Sequence, residues 1–129
     1  MSYEKDITAA ILANTPLVRE IGDRFFWDIA DGATAPPYIV AQTVSDDGET
    51  PHDARRGVSF PTVQFSTWAK TKAEAVRISE ILRSEFEGTP IAGESECVLL
   101  FANRTSNYDQ TTRLFGIVLD FRAPHHLAN

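Results

Sequence analysis

The sequence predicts an α+β fold: a mainly antiparallel β-sheet with helices packed on one face, in a single domain. Three observations predict it. Apolar residues recur at helical spacing near the N-terminus and again over 71–88, and they alternate with period two in the stretches around them. The order of these patterns is helix, strands, helix, strands. The length of 129 residues, 43% of them apolar, is enough for one core and too little for two ordinary domains. A sheet covered on one face leaves the other to water or to a partner.

The first element is a helix over "SYEKDITAAILAN". Ser2 is its candidate N-cap, Glu4 and Asp6 suit the positive helix start, and Ile7, Ala10, Ile11 and Asn14 share a face. Pro16 is expected to stop it. "PLVREIG" can add one short helical turn before Gly22. "RFFWDI" reads as a short strand with Phe25, Trp27 and Ile29 on one face. "DGATAPP" is a turn region, and "YIVAQTV" is a strand by its β-branched and aromatic content.

In "GVSFPTVQFSTWAK" the alternation changes phase at Pro61: Val58 and Phe60 have one parity, Val63, Phe65 and Thr67 the other. A bulge there would reset the faces, giving one bent strand, or two consecutive ones. "TKAEAVRISEILRSEFEG" carries the strongest helix pattern. Thr71 and Glu74 form a capping box; Ala75, Ile78, Leu82 and Phe86 make an apolar stripe with Ile81 beside it; Arg77, Glu80 and Arg83 can pair at i, i+3. Gly88 and Pro90 end it. "ECVLLFANR" and "TTRLFGIVLDFRA" follow as strands, the second alternating through Phe115, Ile117, Leu119 and Phe121. "TSNYDQ" between them is expected to be the turn of an antiparallel hairpin.

The net charge of −6 makes the chain a poor candidate for gripping DNA phosphates, though DNA could pass nearby without being held. Cys97 is the sole cysteine, which excludes an intrachain disulfide, and its apolar setting reads as a core thiol. No apolar run approaches the roughly 20 residues of a membrane-spanning helix. The N-terminus lacks the basic and apolar regions of a signal peptide, so the protein is expected to be cytoplasmic where it is made.

"TVSDDGETPHDARRG", Thr43 to Gly57, has no large apolar residue after Val44. Connections between strands are commonly about 2–5 residues in hairpins, so this charged stretch over 45–57 is long for a compact domain. Asp46, Asp47, Glu49 and Asp53 precede Arg55 and Arg56, an arrangement that can pair with a neighbouring subunit and order on assembly. The plainer alternative is a solvated hairpin without a role.

Catalytic and metal-binding signatures are sparse. The chain has no glycine-rich phosphate loop, no G-x-S-x-G and no C-x-x-C. His125 and His126 are adjacent, so on a strand they point to opposite sides, and they read as a flexible polar tail. "SDDGE" lacks the ligand alternation of a calcium loop and reads as a turn at Asp47-Gly48. His52 and Asp53 could polarise a water, but no apolar neighbours fix them. No catalytic, metal or cofactor site is expected. Trp27 and Trp68 could be core or interface residues. Trp68 shares its strand face with Thr62, Gln64 and Ser66, which makes it the better candidate for cover by another subunit.

Taken in order, several pieces resemble the tail-completion, or tail-terminator, proteins of long-tailed phages and gene transfer agents. They are the N-terminal helix, "PLVREIGDRFFWDIADGATAPPYIVAQTVS", the charged connection, "VSFPTVQFSTWAKTKAEAVRISEILRSEF" and "TRLFGIVLDFRA". The resemblance covers nearly the whole chain and rests on element order and the "FSTWAK…AEA" junction. It carries over no functional residue. It implies a homo-oligomeric ring, typically a hexamer, that caps the tail tube, ends its polymerisation and joins the head's neck proteins. DNA would pass through the opening, in a virion assembled in the host cytoplasm.

Simple geometry is compatible with that ring. A chain of this length approximates a sphere about 36 Å across. Six such spheres in a ring leave a hole about one sphere wide, and four leave about 15 Å. A duplex roughly 20 Å across passes only the first. The alternatives are another neck or tail-tube component of similar fold, or a small α+β enzyme or ligand-binding domain built around His52 and Asp53.

Overall fold

In the computed structural model, residues 2–45 and 58–126 are described. Helix α1 (Ser2–Leu12) buries Ile7 and Ile11, one turn apart. Asn14 does not continue that face. It caps α2 (Thr15–Ile21), its Oδ1 accepting from the Leu17 amide at 3.1 Å. Its Nδ2 donates to Glu85 at 2.8 Å. Pro16 therefore opens α2 rather than closing α1, a position where its missing N–H costs nothing. Gly22 ends α2 with φ 63.

Arg24 then ties the next segment down, its Nε donating to the Pro37 carbonyl at 2.8 Å. Strand β1 (Phe25–Trp27) is shorter than expected. Asp28 takes φ 69, and its amide donates to Ala41 O at 2.8 Å. The chain turns away there, which leaves Ile29 79% exposed instead of on the strand face.

Strand β2 (Tyr38–Ser45) runs parallel to β1 and antiparallel to β4 (Thr62–Ala69). Of the two outcomes expected at Pro61, the chain takes the second, two consecutive strands. Val58–Ser59 forms β3, which belongs to a separate two-stranded sheet, and Phe60–Pro61 separates it from β4. The Pro61 carbonyl accepts from the Ala123 amide at 2.8 Å. A register shift lies instead in β2 between Thr43 and Ser45, and Val44 there is exposed.

Helix α3 (Lys72–Phe86) starts where the capping residues place it: Thr71 Oγ1 accepts from the Glu74 amide at 3.1 Å. Its Ala75, Ile78, Leu82 and Phe86 are buried along one stripe. The expected i, i+3 pairs are replaced. Arg77 reaches Glu20 of α2 at 2.8 Å, and Arg83 pairs with Glu87 at 3.0 Å. Arg83 also lies over the Phe101 ring, 3.7 Å from its centre.

Strands β5 (Leu100–Asp109) and β6 (Leu114–Arg122) form the expected hairpin, with a different turn. Thr105–Asp109 continues β5, and the reversal falls between Asp109 and Leu114, where Arg113 takes φ 61. The final strand, β7 (His125–His126), pairs with β3. The expected flexible tail is thus ordered at these residues. His125 is buried, its ring stacked on Tyr3 with centroids 4.2 Å apart, while His126 is exposed on the other side.

The main sheet has the order β1-β2-β4-β6-β5 and is antiparallel except at β1. One face packs against the helices. Ile39, Ala41, Val63, Phe65, Ile117, Leu119 and Phe121 meet Ile7, Ile11, Leu17, Ile21, Ile78 and Leu82 in a single core cluster. Phe65 sits at its centre, edge-on to Phe121 at 5.6 Å and 6.4 Å from Phe25. The fold class predicted from the pattern is the one observed.

Asp6 locks the N-terminal helix to the loop before β5. Its carboxylate accepts from both the amide and the hydroxyl of Ser95, and a Cβ on Gly93 would collide with it. Gly93 has φ 143, which also favours glycine.

Candidate assembly surface

The strand pattern that builds the core also leaves a second face. In β4 the residues alternate, with Val63, Phe65, Thr67 and Ala69 buried and Thr62, Gln64, Ser66 and Trp68 half-buried. Gln64 donates to Asp120 of β6 at 3.0 Å across this face. Arg122, at its margin, donates to the Phe60 carbonyl at 2.9 Å. This is a polar sheet face with one large aromatic residue on it.

Trp68 lies in register with Tyr38 and Gly116. The close approach is made possible by Gly116: a Cβ there would sit 2.7 Å from the Trp68 ring. Trp68 therefore packs closely over Gly116 of β6 while remaining half-buried. A Gly116→Val substitution should lift the ring, cost about 1–3 kcal/mol as an overpacked site and shift tryptophan emission to the red. Unchanged stability and emission would contradict this packing.

Strand β5 closes the sheet on one side. From Ala102 to Tyr108 every residue is exposed, on both faces of the strand. Its outer backbone groups form an open edge of the kind that accepts another chain.

The two ends of the sheet differ. At one end, β2 stops at Ser45 opposite Thr62. Asp46, Asp47, Glu49, Asp53, Arg55 and Arg56 follow there and lie outside the described residues, as does His52. At the other end, a groove of about 510 Å³ lies between the loop before β2 and the β5–β6 turn. Asp31, Tyr38, Lys70 and Arg113 are among its lining residues. Burial and the nearby Asp109 charge push the Tyr38 hydroxyl pKa up.

Residues 5–126 match the family model for tail completion protein gp17. The chain belongs to that family. No curated protein matches it. It is similar to a chain in the structure of the virion of a native gene transfer agent particle. The two share 18% identity over 93% of this chain and 94% of that one, with a TM-score of 0.71, which shows a common fold. As a tail completion family member, the protein is a structural component of the virion tail or neck. The α+β architecture with a mostly antiparallel sheet is shared with the virion chain.

For this tail completion family member, the remaining chemistry-bearing residues have structural places. Among the described residues, no group of three or more His, Cys, Asp and Glu side chains is arranged to hold a metal ion. No helix among them is long and apolar enough to cross a membrane. His126 Nε2 faces Glu96 Oε1 at 3.3 Å, an exposed contact.

Cys97 is fully buried, and burial, with Asp6 nearby, pushes its thiol up to about 12 from 9.0. The folded state thus holds this proton more tightly than the unfolded chain. The stabilisation is present below pH 9 and is lost as pH rises toward 12. At pH 8 a water-soluble thiol reagent should leave the native protein unmodified and label it fully in denaturant. Rapid labelling of the native protein would contradict the burial.

The sequence pointed to Trp68 but not to β5 as an edge or to the groove. The strand expected over "ECVLLFANR" was to end at Arg104, and Thr105–Asp109, which continues it, is too polar to read as a strand. The groove joins Lys70 and Arg113, which are far apart in the chain and share no local motif.

Proposed function

We propose that this protein caps the tail tube as a homo-oligomeric ring of six subunits that ends tube polymerisation and provides the joining surface for head-completion or neck proteins. The observation that carries this reading is the tail completion family match across residues 5–126. The polar face around Trp68 and the open edge of β5 are surfaces on which a ring can be built. Residues 1–129 act as one tail-terminator-like domain, and the charged connection at 45–57 serves as its assembly arm. Asp46, Asp47, Glu49 and Asp53 pair with cations of a neighbour, and Arg55 and Arg56 with its acids. Such pairing fixes register and speeds encounter more than it adds affinity.

In this reading DNA crosses a ring whose subunits carry net negative charge and do not hold its phosphates. The protein works by assembly, without catalysis. Light scattering tests it: a ring-sized species, alone or on adding the cognate tail-tube protein, is the expected result. A monomer unaffected by the tube protein at high concentration would overturn it.

A further inference from the structure

We infer that the groove lined by Lys70 and Arg113 is the receptor for the acidic segment Asp46-Asp47-Gly48-Glu49 of a second copy of this chain. The inference deepens the proposed ring and rests on it for its biological setting. It starts from unused charge. Among the described residues, neither Lys70 nor Arg113 has an ion-pair partner, and both are exposed at the groove. The two nearby carboxylates are engaged locally. Asp31 Oδ1 accepts from the Ala33 amide at 3.1 Å, and Asp109 Oδ1 from the Thr111 amide at 2.9 Å. Neither carboxylate forms an ion pair with the cations, so Lys70 and Arg113 remain open to an outside anion in a groove of about 510 Å³ that also offers Tyr38 and Asp31.

The topology decides between the chain's own acids and those of another copy. The acidic segment begins one residue after Ser45, at the far end of β2 from Tyr38. Seven residue steps at about 3.4 Å separate these ends by roughly 24 Å. Lys70 lies two residues beyond Trp68, which pairs with Tyr38, and Arg113 precedes Leu114 at that same end. The Asp47 backbone can travel at most about 7 Å from Ser45. Asp46 and Asp47 therefore cannot reach the groove of their own subunit. A neighbour placed head to tail brings the acidic end of one sheet to the cationic end of the next. Such a heterologous contact generates a ring when its rotation closes.

The probe is a capped peptide of residues 45–50, SDDGET, titrated into the full-length protein and followed by NMR, with SNNGQT as control. The expected result is shifts confined to the groove around Tyr38, Lys70 and Arg113, absent with the control. Lys70→Glu with Arg113→Glu should weaken binding by about tenfold or more. In the full chain, that reversal should block ring formation on the tube. Combining it with Asp46→Lys and Asp47→Lys in the same chain should restore it. Peptide binding without rings would leave this contact standing and remove the proposed function. Rings that form with the reversed groove, or shifts elsewhere on the protein, would overturn the inference, as would loss of tube binding with self-association intact. Neutral Lys70→Gln and Arg113→Gln variants, with unchanged spectra elsewhere, separate lost charge from lost folding.

Discussion

Phe65→Ala is expected to destabilise the protein by about 3–5 kcal/mol, the cost of removing a large buried aromatic side chain and leaving its cavity. Phe65 is fully buried in the middle of β4, with Phe121 on one side and Phe25 on the other. Its ring contacts bring together residues from β1, β4 and β6, so no single element can collapse to fill the space. Phe65→Leu, which keeps much of the volume, should lose distinctly less. Denaturant unfolding measures both. A loss for Phe65→Ala near that of an exposed substitution, within about 0.5 kcal/mol, would show that the core is not organised around this ring.

Deleting residues 46–55 should abolish ring formation and tail joining while leaving the fold intact. The connection departs from β2 and returns at β3, and the core cluster found among the described residues lies outside it. Residues 46–55 include no large apolar side chain, so shortening the connection removes mainly charge. Circular dichroism and thermal unfolding should stay near the parent values, and assembly on the tube should fail. Replacing Asp46, Asp47 and Glu49 by Asn, Asn and Gln keeps the length and should produce most of the same defect, since the proposed contact is electrostatic. Normal rings from the deletion would reduce the segment to a solvated loop.

The elements most legible in the sequence were those whose determinants are local. Helix α3 is bounded by Thr71 and Gly88, with a stripe every three or four residues, and it forms where that pattern places it. From Ile117 to Arg122 strand β6 alternates because one face is buried and the other is not. The misread elements depend on distant partners. Thr105–Asp109 has turn composition, yet pairs with β6 as an edge strand, where polar side chains remain in water at little cost. Its actual turn uses Arg113 at φ 61, a residue type that gives no warning of a left-handed backbone.

His125 looked like part of a polar tail because its cover comes from Tyr3, at the opposite end of the chain. Ile29 matched the strand period, but Asp28 turned the backbone before the pattern could be used. The proposed assembly surface divides the same way. Trp68 was visible as an aromatic residue among polar ones. The groove was not, because Tyr38, Lys70 and Arg113 converge only once the sheet ends are aligned.

The central claim is that the protein closes tail tubes as a ring. Electron microscopy of tail-tube protein polymerised with and without it tests that claim most directly. The expected result is a ring at one end of each tube, with growth stopped at that end. Tubes that continue to lengthen from both ends, with no added density at either, would contradict it.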